Sequence, residues 1–474
     1  MTAFELAPGV ERPDAATLVG GSPYRVMRLA PKGVAALSQL LAASQPPPPE
    51  SASGRLAAKL VRAGMLVPPM AEPVTPADVT VVIPALSAPE PVRRLLERIP
   101  RGVPVVVVDD GSPEPLAPLA EGRPDVVVIR HAQRRGAAAA RNSGAALAET
   151  RWIAFVDADV QPPAGWLGAL LGVTAEPGVI AVAPRVVTTR APGLVGIVES
   201  RASALDFGRV PADVVAGSAV SFVPTATLIV DRDHFRAVGG FDEAMPVGED
   251  VDLVWRFTDR GRVRYEPRIV VSHQPRPSLW KALSRRRFYG DSVGLLEVRH
   301  PGTIRHANVS IGSLAPWLLG VAGRPELGVA AAGFAIAGAP RELPQLPPGQ
   351  ARRLAARGQL LAITGLGRWM VRPFLPVTAV AVALAHPPLR RRLLLAIAAG
   401  YAEVASSAAI QEYRAGASCA QTARAAGATV LARALDDVAY SIGVWRSCLR
   451  SRVPGPLLPR VRDLPDLPGF QRRR

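Results

Sequence analysis

The chain has 474 residues, 49% of them hydrophobic, with a mean hydropathy of +0.18 and a formal net charge of +17. This length allows about three domains with a sizeable core, and the hydropathy is below that of a protein that lies mostly within a membrane. Cys419 and Cys448 are the only cysteines, which excludes a disulfide framework and a cysteine-based zinc site and suits a reducing cytosol.

Arginine carries almost all of the positive charge, because Lys32, Lys59 and Lys281 are the only lysines. The planar guanidinium group binds phosphates and carboxylates through paired hydrogen bonds. A nucleic acid, an anionic membrane surface and a phosphorylated substrate each fit this charge, and so does the composition of a GC-rich genome. Residues 1–14 carry acids where a signal peptide has basic and then apolar residues, so export is not expected.

Residues 1–70 predict a small winged-helix-like unit. A hairpin is predicted at residues 18–29 and a helix at 32–43, and a second helix at 54–67 runs into an extended segment. A DNA-binding winged helix fits the same pattern, but the basic residues are not gathered on one helix as groove binding requires, so nucleic acid is not an expected partner. Residues 68–76 are proline-rich and predict a linker.

From Asp78 onward, strand and helix signals alternate, which predicts a parallel α/β sheet with right-handed crossovers. The strands are predicted at residues 79–84, 103–108, 126–129, 152–156, 179–184, 218–230 and 263–273. The helices between and after them are predicted at residues 91–99, 137–147, 166–171, 231–238 and 249–259.

Two carboxylates, Asp157 and Asp159, follow the predicted strand at residues 152–156. Ligands of parallel sheets bind beyond the carboxyl ends of the strands. Two acids at that position can hold a divalent cation that bridges phosphate oxygens. An Asp-x-Asp motif alone is also common in solvated loops, so its context decides between the two interpretations.

Polar residues follow the other predicted strands at the same edge. Pro84 is expected to end the first strand, and Asp109 and Asp110 follow the second and precede a glycine. A carboxylate there can accept a hydrogen bond from a nucleobase or a ribose hydroxyl, although an Asp-Gly turn can also serve chain reversal alone. Arg141, within a run of small residues that lets a helix approach the sheet, can donate to a base carbonyl or a diphosphate.

The ordered set VVVVDDGS, AAAARNSG, FVDAD, GGFDE and GED resembles the inverting family 2 glycosyltransferases from about residue 78 to residue 289. The resemblance implies a GT-A catalytic domain with a Rossmann-like mixed sheet. It further implies that Asp110 reads the uracil of a UDP-sugar with help from Arg141, that Asp157 reaches the ribose, and that Asp159 binds Mg²⁺ or Mn²⁺. Pro84 and Asp109 are grouped with these donor-binding residues.

On the acceptor side, the resemblance implies that Asp250 deprotonates the attacking hydroxyl, with Glu249 as the competing candidate. His273 stands where related enzymes place a further metal or phosphate ligand, although a lone histidine at a strand end is also often structural. Asp252 is expected to stabilise the start of its helix. The Gln-x-x-Arg-Trp motif of processive cellulose- and chitin-making relatives is absent from the sequence, which argues against long-chain synthesis.

The region at residues 296–450 predicts helices that are only weakly apolar. Its apolar stretches, at residues 309–323, 327–339, 373–385 and 393–405, are shorter than the ~20 residues of a spanning helix and fit core helices, interfacial helices or inserted hairpins. A helix at residues 428–450 carries apolar positions at helical spacing: Leu431, Leu435, Val438, Ile442 and Trp445. Residues 451–474 form a basic Pro/Arg-rich tail, expected to be mobile.

The unit at residues 1–70 resembles the small PqqD-like domains that recognise peptides, and the catalytic domain is placed at residues 77–295. Together the regions resemble the mycofactocin-system glycosyltransferases. That resemblance implies transfer of glucose from UDP-glucose onto a mycofactocin precursor as a short β-1,4-linked chain, on the cytoplasmic side of the membrane or free in the cytoplasm. A polyprenyl-phosphate or cell-wall glycosyltransferase is the main alternative, and a nucleotidyltransferase or a non-catalytic binding scaffold fits less well.

Overall fold

The computed structural model describes residues 4–189, 193–201 and 203–461. The chain divides into two compact units. The first comprises Met1–Thr189 and Ser203–Pro275, and the second comprises Arg190–Ala202 and Arg276–Arg474. The predicted domain limits at residues 70, 295 and 450 remain predictions; the division between compact units falls after Pro275.

The N-terminal part of the first unit contains a three-stranded antiparallel sheet and two helices around a small core of its own. The predicted hairpin and helices are present, and Ser51 caps the second helix by accepting a hydrogen bond from the Gly54 amide. The elements are β1 (Glu5–Leu6), β2 (Glu11–Asp14), β3 (Thr17–Gly20), β4 (Arg25–Arg28), α1 (Pro31–Ala42), α2 (Ala52–Arg62) and β5 (Leu66–Val67).

The rest of the first unit is built around a nine-stranded mixed sheet. Its elements are β6 (Val79–Ala85), α3 (Pro89–Leu96), β7 (Val105–Asp109), β8 (Val126–Arg130), α4 (Ala137–Ala146), β9 (Trp152–Val156), β10 (Val160–Gln161), α5 (Trp166–Val173) and β11 (Val179–Thr188). After α6 (Gly193–Arg201), which belongs to the second unit, come β12 (Ala212–Asp213), β13 (Thr227–Asp231), α7 (Arg232–Ala237), α8 (Glu249–Thr258) and β14 (Arg262–His273).

The strand order is β10-β14-β11-β13-β9-β6-β7-β8, with β12 paired to β14. Strands β9, β6, β7 and β8 are mutually parallel, whereas β13 runs antiparallel to both β9 and β11. Apolar residues cover both faces, with α3 and α5 against one and α4, α7 and α8 against the other. The predicted α/β class with a mixed GT-A-type sheet is confirmed.

Two predictions about strand limits are wrong. Strand β6 does not end at Pro84, because Pro84 and Ala85 still pair with Val108 and Asp109 of β7. Pairing with β9 stops at Val82, so the missing amide hydrogen of Pro84 leaves no ladder bond unmade on that side. The strand predicted at residues 218–230 is confined to β13, because the preceding residues form a loop.

Small residues set the distances between layers. A Cβ on Gly144 of α4 would lie 2.4 Å from the Val82 side chain of β6, so only glycine permits this helix to lie so close to the sheet. The predicted linker also packs closely: the Val74 amide donates to the Gly168 carbonyl at 3.1 Å, and a Cβ on Gly168 would lie 2.3 Å from the Val74 carbonyl oxygen. The linker is therefore a packed segment of the first unit.

The described part of the second unit is mostly helical. Its elements after Pro275 are α9 (Leu279–Arg299), β15 (Asn308–Val309), α10 (Ile311–Ala322), α11 (Pro325–Glu342), α12 (Pro348–Val371), α13 (Leu375–Leu384), α14 (Pro387–Arg414), α15 (Cys419–Ser451) and β16 (Arg460–Val461). Among the described residues, only α14 is both long and apolar enough to cross a membrane. Of the predicted mobile tail, residues up to Val461 are described, including β16 paired with β15, and the remainder lies outside the described residues.

Candidate active site

The predicted site residues of the sheet collect at one edge of it, where the parallel strands β6, β7 and β9 end. Asp109 closes β7, Asp110 follows it, and Asp157 follows β9. Helix α8 begins at Glu249, so its N-terminus brings in the two acids of the GED motif. The strands are parallel, as the sequence predicts, so the acids that follow them lie at the same edge of the sheet.

Asp109 organises the turn beneath the site. Its carboxylate is fully buried and accepts hydrogen bonds from the Ser112 amide at 2.8 Å, the Leu116 amide at 3.3 Å and Arg130 Nη1 at 3.2 Å. Burial alone would raise the pKa of Asp109, but the hydrogen bonds from Ser112 and Leu116 and the charge of Arg130 outweigh it and hold the pKa below its ordinary value. Through these contacts Asp109 stabilises the loop that follows β7.

Asp110 holds the start of α4. Its two carboxylate oxygens accept from the amides of Arg135 and Gly136, both at 2.8 Å. His131 Nδ1 lies 2.8 Å from Asp110 Oδ1, and its Nε2 lies 3.0 Å from the hydroxyl of Ser143. Sequence reasoning missed His131, because a single histidine in a loop carries no spacing signal. Asp110 is therefore held in a fixed position at this edge of the sheet.

Arg141 connects the end of strand β9 to the start of helix α8. The side chain is 4% exposed, and it donates from Nη2 to Asp157 Oδ1 at 2.7 Å and from Nη1 to Glu249 Oε1 at 3.1 Å. Its guanidinium carbon lies 5.4 Å from the ring centre of Phe241. Burial opposes the charge, but Asp157 and Glu249 outweigh it and raise the pKa of Arg141 above its ordinary value, so the group stays charged.

Asp250, at the start of α8, has a markedly raised pKa. Burial and then the charge of Glu249 raise the pKa of Asp250 to about 7, against the opposing charge of Arg141. One of its oxygens accepts from the Val251 amide at 2.8 Å. A carboxylate that titrates near neutral pH is suited to accept a proton from a substrate hydroxyl.

The loop before α8 is held by groups that sequence reasoning did not place in the site. The side chain of Asn142 donates to the Phe241 carbonyl and accepts from the Phe241 amide, both at 2.9 Å. Asp252 is fully buried and bonds to Arg256, which in turn donates to the carbonyls of Val238 and Gly240. Asp252 thus fixes the Gly-Gly turn through Arg256, and its expected effect on the start of the helix stays a prediction.

Asp159 and His273 lie on paired segments. Asp159 immediately precedes Val160, and the backbone of Val160 pairs with that of His273 across β10 and β14. His273 Nδ1 lies 2.9 Å from the Gln274 carbonyl oxygen, which can only accept, so this ring nitrogen donates. Nε2 is then an acceptor nitrogen in the neutral ring, 3.1 Å from the Thr188 hydroxyl.

The donor set at this edge fits a hard divalent cation that is held largely by its substrate. Mg²⁺ is usually bound through one or two carboxylates together with substrate phosphates and water. Within the residues that the structure describes, no three His, Cys, Asp or Glu side chains form a ready-made metal cluster. Asp159 would therefore hold the ion with the diphosphate, and the fixed tautomer of His273 suits a second protein ligand.

The arrangement places a chain of hydrogen-bonded charges, from Asp157 through Arg141 to Glu249, beside the acid Asp250. Carboxylates and an arginine face the edge where a nucleotide would bind, and an acid with a pKa near 7 lies at the start of α8, one residue from Glu249. This combination suits the transfer of a group from a phosphorylated donor to a hydroxyl acceptor.

Comparisons with known proteins agree with that chemistry. Residues 80–225 match the family model for glycosyl transferase family 2. The pre-mycofactocin glycosyltransferase of Mycobacterium tuberculosis, from strains CDC 1551 and H37Rv, is 35% identical over 458 residues, which cover 95% of each chain. A solved mannosyltransferase from Pyrobaculum calidifontis, in complex with GDP-Man and Mn²⁺, is 18% identical with a TM-score of 0.42 and covers 77% of this chain and 88% of its own.

Identity at this level extends over nearly the whole of both chains, so it includes the N-terminal unit and the helical region as well as the sheet. The family 2 match covers the part of the sheet that carries Asp110, Arg141, Asp157 and Asp159. The chain is a glycosyltransferase, and it belongs to the pre-mycofactocin glycosyltransferases of family 2.

Proposed function

We propose that the enzyme transfers glucose from UDP-glucose to a mycofactocin precursor with inversion at the anomeric carbon, building a short β-1,4-linked chain. The observation that carries the proposal is the continuous contact from Asp157 through Arg141 to Glu249, with Asp250 as its neighbour. The relative from Mycobacterium tuberculosis supports the acceptor through its name.

The reaction is a single displacement. The oxygen of an acceptor hydroxyl attacks the anomeric carbon while the bond from that carbon to the β-phosphate oxygen breaks, and UDP leaves with the bonding electrons. The hydroxyl proton passes to the carboxylate of Asp250. Glu249, bonded to Arg141, is held away from this role and raises the basicity of Asp250 by its charge.

The donor would be held at the edge of the sheet. Asp110 would accept from the uracil ring, Asp157 would bind the ribose, and Asp159 with His273 would hold Mg²⁺ or Mn²⁺ beside the diphosphate. When bound, such a cation supplies positive charge that stabilises the departing diphosphate.

The N-terminal unit would recognise the peptide-derived acceptor. It has its own core and a three-stranded sheet whose edge strands, β2 and β4, each pair on one side only. An extended peptide can add to such an edge through backbone hydrogen bonds.

We also propose that the enzyme is located on the cytoplasmic side of the cell membrane.

An intact-mass assay tests the proposal. Purified enzyme is incubated with UDP-glucose, Mn²⁺ and a mycofactocin precursor, beside the Asp250→Asn variant and the matched variant Asp259→Asn, whose exposed side chain lies at the other end of the same helix. Hexose additions of the wild type should fall by about 10²–10⁴-fold in Asp250→Asn, the usual contribution of a general base, and should persist in Asp259→Asn.

UDP binding measured by calorimetry should remain close to that of the wild type in Asp250→Asn. Retained turnover in that variant would remove the base role from Asp250. Hexose that appears only on a polyprenyl-phosphate lipid offered in parallel would replace the acceptor with the membrane alternative.

A further inference from the structure

Helix α15 in the second unit buries several polar side chains and leaves several large apolar side chains exposed. Asp436, Asp437 and Ser441 are completely buried. Leu431 and Ile442, both among the apolar positions predicted at helical spacing, are 54% and 52% exposed. The interior side of the helix is mixed, since Val444 and Cys448 are buried as well. In a surface helix of a soluble protein, large apolar side chains such as Leu431 and Ile442 face the core instead of the solvent.

The buried acids are paired within the helical unit. Arg372, just after α12, donates to Asp436 Oδ2 at 3.2 Å and also bonds to Asp437. Arg286 of α9 contacts Asp436 as well. Tyr401 of α14 donates to Asp437 Oδ2 at 3.4 Å. Four segments of the unit thus meet at an internal polar centre, as helices do when they are surrounded by lipid.

Exposed large apolar side chains occur on every helix from α10 to α15. Phe334 is 83% exposed and Leu384 is 81% exposed. The others on these helices that are at least two-fifths exposed are Ile311, Leu318, Leu327, Val329, Leu360, Leu361, Ile363, Val377, Val380, Leu394, Leu395, Ile410, Tyr413, Leu431, Val438, Ile442 and Leu449. Exposed apolar side chains on six consecutive helices are more than the single scattered ones that a soluble protein ordinarily shows.

Helix α14 adds charge to this pattern. Its 28 residues extend about 40 Å, it reaches a mean hydropathy of 1.7, and only 17% of its most apolar window is buried. Arginines lie near its two ends, at residues 390–392 and at Arg414. Arginine at the ends of an apolar helix complements anionic phospholipid headgroups, and the chain as a whole carries a net charge of +17.

We propose that the outward apolar side chains of α10–α15 contact the acyl chains of an anionic phospholipid bilayer, while the polar centre around Asp436 and Asp437 holds the helices together. The occupant of this surface is lipid. The proposal stands independently of the sugar, the acceptor and the roles assigned at the edge of the sheet.

Flotation of the full-length protein with vesicles of phosphatidylglycerol and phosphatidylethanolamine tests it. The apolar variant carries Leu431→Ser, Val438→Ser and Ile442→Ser, and a matched control carries serine at three exposed apolar positions of the first unit, Val127, Leu147 and Val215. We expect wild type and control to float with the vesicles and to stay bound in 1 M NaCl, where surface electrostatics are screened. The fraction of the apolar variant that stays bound in 1 M NaCl should be at least tenfold lower.

Release of the wild type by 1 M NaCl would overturn the proposal, because it would show that the protein binds the vesicles by electrostatic attraction alone. Unchanged binding of the apolar variant would overturn it as well. A wild-type dimer seen by light scattering, lost in the apolar variant and without vesicle binding, would assign the surface to a second copy.

A second measurement uses only the wild-type protein, so it does not depend on folding of the variant. Vesicles with brominated acyl chains should quench its tryptophan fluorescence, to which Trp317 on α10 and Trp280 on α9 contribute. Trp280 is 78% exposed. Equal fluorescence with brominated and ordinary vesicles would contradict acyl-chain contact.

Discussion

At the scale of single residues, Arg141 makes the two sides of the site electrostatically dependent on each other. It shares its charge between Asp157 and Glu249, and it opposes the effects that raise the pKa of Asp250. A donor that engages Asp157 would leave more of the arginine charge to the acids at the start of α8. In the proposed mechanism, the proton affinity of Asp250 therefore depends on whether a donor occupies the edge of the sheet.

The raised pKa of Asp250 predicts a pH dependence. The proposed base is active as the carboxylate, and with a pKa of about 7 it becomes protonated as the pH falls through 7. We expect kcat/KM for the acceptor to fall about tenfold for each unit below pH 7 and to level off above it. Steady-state rates from pH 5.5 to 8.5 check this, and a flat profile down to pH 5.5 would contradict the assignment.

The proposed metal contact of Asp159 predicts an effect that depends on the ion. Asp159→Ala should weaken UDP binding in the presence of Mn²⁺, because the diphosphate would lose part of its cation, and should change binding little in the presence of a chelator. Calorimetry with Mn²⁺ or with EDTA makes the comparison. Equal weakening under both conditions would place the ion elsewhere.

At the scale of elements, the close contact of α4 with β6 depends on Gly144. A Cβ there would lie 2.4 Å from the Val82 side chain, so Gly144→Ala requires the helix or the strand to move. We expect a loss of about 1–3 kcal/mol in unfolding free energy, together with weaker UDP binding because Arg141 lies on the same helix. Denaturant unfolding measures the first and calorimetry the second.

Gly358→Ala is the matched control, since Gly358 is exposed in the middle of α12 and an added Cβ would meet nothing within 4 Å. This variant should be unchanged or slightly more stable, because alanine favours helix over glycine by up to ~1 kcal/mol. A Gly144→Ala variant as stable as the control would show that the contact is easily relaxed.

The elements also show what the sequence can and cannot predict. The edge position of Asp157 and Asp159 follows from an apolar strand that ends in acids, which is a local pattern. The contact of Arg141 with Glu249 joins residues 108 apart, and that of His131 with Asp110 depends on the path of a loop, so neither has a local signal. Which side of α15 is buried has no local signal either, because apolar spacing defines a face of the helix but not what covers that face.

At the scale of the whole molecule, the distribution of exposed apolar residues predicts how the protein behaves without lipid. In buffer the helices α10–α15 would leave side chains such as Phe334 and Leu384 in water. We expect self-association that a mild detergent above its micelle concentration reverses, because detergent covers the same surface. Light scattering with and without detergent checks this, and a monodisperse monomer in plain buffer would contradict it.

The packed segment at residues 68–76 has a consequence for how successive sugars are added. A free linker of this length would let its ends wander by roughly 15 Å, whereas contacts of Val74 with Gly168 and of Pro68 with Arg268 fix its course within the first unit. An acceptor held by the N-terminal unit would then experience a high and constant effective concentration at the catalytic edge. The fixed distance between the N-terminal unit and the catalytic edge would then limit how many sugars are added before the product leaves. The affinity for the growing sugar chain would matter less.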